Sequence, residues 1–193
     1  MSVTISKKAS ITSLSQQELA QKRVLVRVDF NVPLREGVIT DDTRIRSSLS
    51  TINYLLKANA KVVLVAHLGR PKGVDDSLRL KPISDRLSEL LGKPVDYVTD
   101  TIGDVVQDRL NQLKSGSVAL LENVRFYAEE TANDTSFARQ LAEGFDFFVQ
   151  DAFGAIHRAH ASTAGVAAFL PTFSGCLLEQ EITFLNKALY SSI

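Results

Sequence analysis

Tryptophan is absent from the 193 residues, and cysteine and methionine occur once each. A single cysteine, Cys176, excludes an intramolecular disulfide and a cysteine-based zinc site. It lies in the apolar string Phe173-Ser174-Gly175-Cys176-Leu177-Leu178, where a small buried hydrophobe is the expected role. A reducing, cytoplasmic setting suits that usage. Charge of one sign is not in excess either, since Lys+Arg and Asp+Glu both number 22. No global field then draws the chain to nucleic acid or to a membrane surface, and an anion site has to come from local clustering. No apolar run approaches the roughly 18 residues of a membrane-spanning helix. Both common nucleotide-phosphate cradles, Gly-x-x-x-x-Gly-Lys-Ser/Thr and Gly-x-Gly-x-x-Gly, are missing. The opening segment from Met1 to Ser13 has neither arginine nor a secretory apolar stretch, and reads as a disordered or first-strand lead-in.

What is present is an alternation of apolar runs and amphipathic segments. Val24 to Val28, Val62 to Ala66, Val95 to Val98, Val118 to Leu121 and Phe145 to Val149 are apolar nearly throughout, as strands covered on both faces should be. Helical segments are expected over Thr43 to Leu56, Lys81 to Leu91, Ile102 to Leu113, Thr135 to Glu143 and Glu179 to Tyr190. Ile45, Leu49, Ile52, Leu55 and Leu56 give the first an apolar stripe, and Gly92 with Pro94 ends the second. Ser15-Gln16-Gln17-Glu18 has the form of a capping box. Short connections between alternating strands and helices predict right-handed crossovers. The fold class is therefore α/β: a Rossmann-like, doubly wound, mostly parallel sheet with helices on both faces, a three-layer α/β/α sandwich.

Four strings carry the chemistry. Arg27-Val28-Asp29-Phe30-Asn31, His67-Leu68-Gly69-Arg70-Pro71, Glu122-Asn123-Val124-Arg125-Phe126 and Asp151-Ala152-Phe153-Gly154-Ala155-Ile156-His157-Arg158 each lie in or just after an expected strand. In a parallel sheet the strand carboxyl ends share one side, so these groups can meet on one ligand. Several cations at one rim predict a small, multiply charged anion. Singly, Asp29 and Asn31 fit turn capping as well as they fit substrate hydroxyls. Arg44 sits in the first turn of a helix, where a cation is unfavourable unless it faces an anion. A zinc site built from His67, His157 and His160 is opposed by the interleaved Arg158. Asp151 is expected to end its strand by pairing locally, and no nucleophile-and-base pair stands out.

These strings, in this order, closely resemble the phosphoglycerate kinase family. The resemblance rests on Arg27-Val28-Asp29-Phe30-Asn31-Val32-Pro33, Ile39-Thr40-Asp41-Asp42-Thr43-Arg44-Ile45, His67-Leu68-Gly69-Arg70-Pro71, Leu121-Glu122-Asn123-Val124-Arg125-Phe126, Asp151-Ala152-Phe153-Gly154 and His157-Arg158-Ala159-His160. It runs from about Ser13 to Leu189, with a local departure at Ala155-Ile156. It implies an amino-terminal substrate domain over residues 1–178 and an interdomain helix, cut short, over 179–193. The carboxy-terminal domain that takes Mg-ATP or Mg-ADP would be absent, so this domain itself would bind no metal or cofactor. The implied ligand is 3-phosphoglycerate or 1,3-bisphosphoglycerate. Asp29 and Asn31 would hold its glycerate end, and Arg44 would swing onto the transferring phosphoryl group. His67, Arg70, Arg125, His157 and Arg158 would form the basic patch, with Arg70, Arg125 and Arg158 on the 3-phosphate. The facing of Arg27 stays undecided. The whole enzyme would be a monomer, whereas this chain would bind substrate without turnover and self-associate through its last helix. The alternative is a stand-alone anion-binding regulatory domain.

Overall fold

The computed structural model describes residues 9–156 and 158–190. Strands β1 (Arg23–Arg27), β4 (Lys61–Val65), β5 (Val95–Val98), β6 (Val118–Leu121), β7 (Phe147–Gln150) and β8 (Thr172–Ser174) form one sheet, and β2 (Leu34–Arg35) with β3 (Val38–Ile39) forms a small hairpin. The helices are α1 (Gln16–Leu19), α2 (Thr43–Ser47), α3 (Leu49–Lys57), α4 (Lys81–Leu91), α5 (Asp104–Gln112), α6 (Ala128–Ala132), α7 (Thr135–Ala142) and α8 (Cys176–Tyr190). The sheet order is β5-β6-β4-β1-β7-β8, and every neighbouring pair is parallel.

The period of two along a strand divides the apolar residues between two cores. Val24, Val26, Val62 and Leu64 face one, with Ile52 and Leu55 of α3 and Ile83 and Leu87 of α4. Leu25, Val63, Val65 and Phe148 face the other, with Val106 and Leu110 of α5 and Phe137 and Leu141 of α7. Each such side chain, fully buried, stabilises the fold by about 1.5–3 kcal/mol before conformational entropy is counted. The outcome is the expected three-layer α/β/α sandwich.

Several local expectations need correction. The helix expected as one piece over Thr43 to Leu56 breaks at Ser48, whose amide bonds to the carbonyl of Ile45. Ser47 and Ser48 hydroxyls donate back to the carbonyls of Thr43 and Arg44 and compete with the regular ladder. The β2–β3 hairpin turns through Glu36 and Gly37, both at positive φ. Strand β8 is only three residues long, too short for periodicity to reveal. The Ser15–Glu18 capping box is formed as expected. In the lead-in, Ile11 is buried and Ser10 bridges Ser174, which ties that segment to the sheet edge; residues 1–8 lie outside the described residues.

From β1 the chain crosses to β4 on one side, and it later returns to β7 and β8 on the other. The loops after β1 and β7 therefore leave the sheet in opposite directions, the arrangement that opens a ligand crevice at strand carboxyl ends. Among the described residues no helix is long and apolar enough to cross a membrane.

Candidate functional site

The loop after β1 forms one wall of the crevice. The Asp29 carboxylate accepts the amide of Asn31 and pairs with the Arg44 guanidinium from α2. Asp29 is largely covered, whereas Arg44 remains half exposed. The Asn31 side-chain oxygen accepts the amide of Gly69 at 2.9 Å, which links this loop to the one after β4. Gly154, in the loop after β7, closes the corner. A Cβ there would lie 2.6 Å from the Asp29 carboxylate, so only glycine permits that approach. Arg44, from a separate element, is thus brought to Asp29, and the side chains of Asp29 and Asn31 both hold backbone amides.

The basic glycine loop that follows β4 is clamped from beneath by the string after β6. Asn123 accepts the Leu68 amide and donates to the carbonyls of Leu68 and Leu78. The buried Glu122 carboxylate accepts the Leu80 amide at 3.0 Å and an Arg79 guanidinium nitrogen at 2.9 Å, and it also takes the Tyr97 hydroxyl. Arg125 Nη1 donates to the Gly69 carbonyl at 2.7 Å. With both ends of the loop held, Arg70 and Lys72 are presented at the rim of a cleft of about 480 Å3. Arg125, Arg158, His160 and Tyr127 are among its other lining residues.

Electrostatics shows how closely these cations gather. Burial pushes the Arg125 guanidinium below its ordinary value, and the positive fields of Arg158 and Arg70 act in the same direction. Arg125 is 8% exposed, and its Nε has no hydrogen-bond acceptor among the described residues. A buried guanidinium N–H without an acceptor is costly, and an anionic oxygen is the group that satisfies it best. Arg70 and Arg158 are exposed. His157 lies outside the described residues.

His67 differs from a rim cation. It is 6% exposed, and its Nδ1 meets Arg27 Nη2 at 2.8 Å. Burial first, then Arg27, Arg125 and Arg158, lower its pKa to about 2, so the ring is neutral. Arg27 itself is wholly buried and turned under the crevice, which resolves its facing. Its Nε donates to Ser162 at 2.8 Å, and Ser162 in turn bonds Glu130, which is also wholly buried. Sequence reasoning missed Glu130: in Glu129-Glu130 of a short polar helix nothing marks one carboxylate as interior. Lys72 and His160, neither assigned to the ligand from the sequence, also line the cleft.

Asp151 does more than end its strand. Wholly buried at the end of β7, it accepts the amides of Leu177 and Leu178 at 3.1 and 3.2 Å and so caps α8. Gly175 makes this possible, since a Cβ there would lie 2.1 Å from the carboxylate.

An open parallel sheet whose strand ends gather this many cations around one cleft defines an α/β domain suited to binding a small anion. Sequence comparison refines that class. The phosphoglycerate kinase family model matches residues 14–192, and the chain belongs to that family. It is 58% identical over 184 residues to a phosphoglycerate kinase of Dictyoglomus turgidum, covering 95% of this chain and 46% of that protein. It is 59% identical over 171 residues to one of Borreliella burgdorferi, covering 88% and 44% respectively. Among solved structures, the phosphoglycerate kinase of Pyrococcus horikoshii superposes with a TM-score of 0.88 at 36% identity, over 96% of this chain and 46% of that one. The Coxiella burnetii enzyme gives 0.82 at 38%, over 93% and 44%. The chain thus spans somewhat less than half the length of these relatives and matches their amino-terminal half.

Proposed function

We propose that this chain is the 3-phosphoglycerate-binding half of a phosphoglycerate kinase, able to hold substrate but not to transfer a phosphoryl group unaided. The observation that carries the reading is the convergence of Arg70, Arg125 and Arg158 on one cleft, with Arg125 holding a buried N–H that has no acceptor among the described residues. A 3-phosphoglycerate ion brings about three negative charges near neutral pH, a phosphate of roughly one and a half to two plus a carboxylate. Guanidinium forks match phosphate oxygens two at a time, which suits arginine over lysine.

In this reading Arg70, Arg125 and Arg158 take the 3-phosphate, with His157 belonging to the same patch. Asp29 and Asn31 orient the glycerate end, and His67 contributes a neutral N–H rather than a charge. Arg44 exchanges its Asp29 partner for the phosphoryl group in flight. Phosphoryl transfer passes through a loose transition state, so positioning and charge neutralisation do most of the work and no covalent nucleophile is required. The nucleotide and its magnesium belong to the half of the enzyme that this chain does not include, and no metal or cofactor is assigned to the residues described here.

Calorimetry with 3-phosphoglycerate tests the site. Wild type should bind, and Arg158→Ala should weaken binding by roughly 2–4 kcal/mol, the scale of one lost electrostatic donor. Equal affinity of the two proteins would remove Arg158 from the site.

A further inference from the structure

Two fully buried charges lie close to the residues of the rim. Arg27 of β1 and Glu130 of α6 are both fully buried and are joined by one hydroxyl. Arg27 Nε lies 2.8 Å from Ser162 Oγ, which lies 2.6 Å from Glu130 Oε1. A guanidinium only donates and a carboxylate only accepts, so the directions are fixed: Ser162 Oγ accepts from Arg27 and gives its hydrogen to Glu130. Glu130 Oε2 accepts the Ser162 amide at 2.8 Å, while His160 Nδ1 stands 3.7 Å from Oε1. On the far side of Arg27, Nη2 donates to His67 Nδ1 at 2.8 Å, which leaves the single ring proton of His67 on Nε2.

Stability alone does not account for this arrangement. A buried ion pair is often no better than hydrophobic residues of the same volume, because desolvation offsets the attraction. Its placement is informative instead. The relay joins the strand before the Asp29 loop, the histidine that opens the basic glycine loop, and the turn at residues 161–165 that follows Arg158 and His160. The charges of Asp29 and Arg125 act on Arg27, and those of Arg125, Arg158 and His160 act on His67.

We propose that Glu130 is a positioning residue for the anion rim: through Ser162 and Arg27 it holds His67 as the Nε2–H tautomer and anchors the segment bearing Arg158 and His160. The assignment rests on the functional reading above for its ligand, but the hydrogen-bond relay can be tested without one. Replacing the carboxylate by an amide puts an NH2 group against either the Ser162 hydroxyl or its amide. One donor then loses its acceptor, and Ser162 is released from its orientation.

The variants Glu130→Gln and Ser162→Ala, each in the full 193-residue chain, separate positioning from mere support. Thermal unfolding, 15N spectra of the His67 ring and calorimetric titration with 3-phosphoglycerate are measured on both. In wild type the ring should show a protonated Nε2 and an unprotonated Nδ1 throughout about pH 8 to pH 5, the range in which an ordinary histidine takes up its second proton. In the variants a second tautomer should appear, and affinity should fall about tenfold, the size of one misplaced charged hydrogen bond. Variants that fold, bind like wild type and keep the wild-type ring spectrum overturn the proposal, even if they melt earlier. If Glu130→Gln does not fold, Ser162→Ala, which leaves both charges in place, decides the matter. A wild-type ring protonated on Nδ1 overturns the relay whatever binds. A wild type that gives no heat with 3-phosphoglycerate overturns the functional reading, and the ring spectra still decide the relay.

Discussion

Two buried titratable residues, His67 and Asp151, pull stability in opposite directions with pH. For His67 the folded pKa, about 2, lies below the ordinary 6.5. The unfolded chain therefore binds a proton that the folded chain refuses, and stability falls as pH drops below about 6.5. For Asp151 burial raises the pKa from 3.8 to about 6, against the lowering effect of Thr51 and of the Leu178 and Leu177 amides. Here the folded chain keeps a proton that the unfolded chain gives up, so its contribution is complete below about pH 4 and is lost as pH rises through about 6. Lowering pH from 7 to 4 should therefore stabilise wild type relative to Asp151→Asn by on the order of 3 kcal/mol. Urea unfolding midpoints of the two proteins across that range measure it, and parallel pH profiles would refute it. The sequence identified most residues of the crevice because they follow strands in short, ordered strings. It could not reveal that His67 is neutral or that Arg27 is interior. Both depend on which face of β1 meets the turn at residues 161–165, a contact that spans more than a hundred positions. Glu130 was illegible for the same reason, since its burial comes from the packing of α6 against that turn.

At the scale of elements, long apolar strands and capped amphipathic helices were readable, and short or polar pieces were not. Lys81–Leu91 appears over the expected range because Gly92, in a left-handed conformation, stops it. The break at Ser48 and the hairpin through Glu36-Gly37 escaped because local hydrogen bonding and turn geometry overrode the apolar pattern. Helix α8 raises a question of solubility. Ile182, Phe184 and Leu185 are 42%, 69% and 44% exposed, and Phe184 lines a groove with Cys176 and Lys187. Large exposed apolar side chains favour association, and in a solution of this chain alone a second copy is the available partner. Light-scattering mass should rise with concentration for wild type and stay monomeric for Phe184→Glu. A wild type that remains monomeric throughout removes the idea.

For the whole molecule, the family assignment carries an expectation about activity. The chain spans 46% of the length of its Dictyoglomus relative, and neither common nucleotide cradle occurs in its sequence. It should show no more than background phosphoryl transfer from ATP to 3-phosphoglycerate in a coupled assay, while still binding the acid. Turnover well above background would mean that nucleotide is handled within these residues.

The capping of α8 by Asp151 also has a mechanical consequence. Cys176 follows edge strand β8 after a single glycine, so tension on α8 would by connectivity alone peel that three-residue strand from the sheet. The carboxylate at the end of β7 grips the amides of Leu177 and Leu178 and diverts the load inward, to a strand hydrogen-bonded on both edges. The same loop goes on to carry Arg158. A force arriving along α8 is therefore felt where the arginines converge before it is felt at the rim of the sheet.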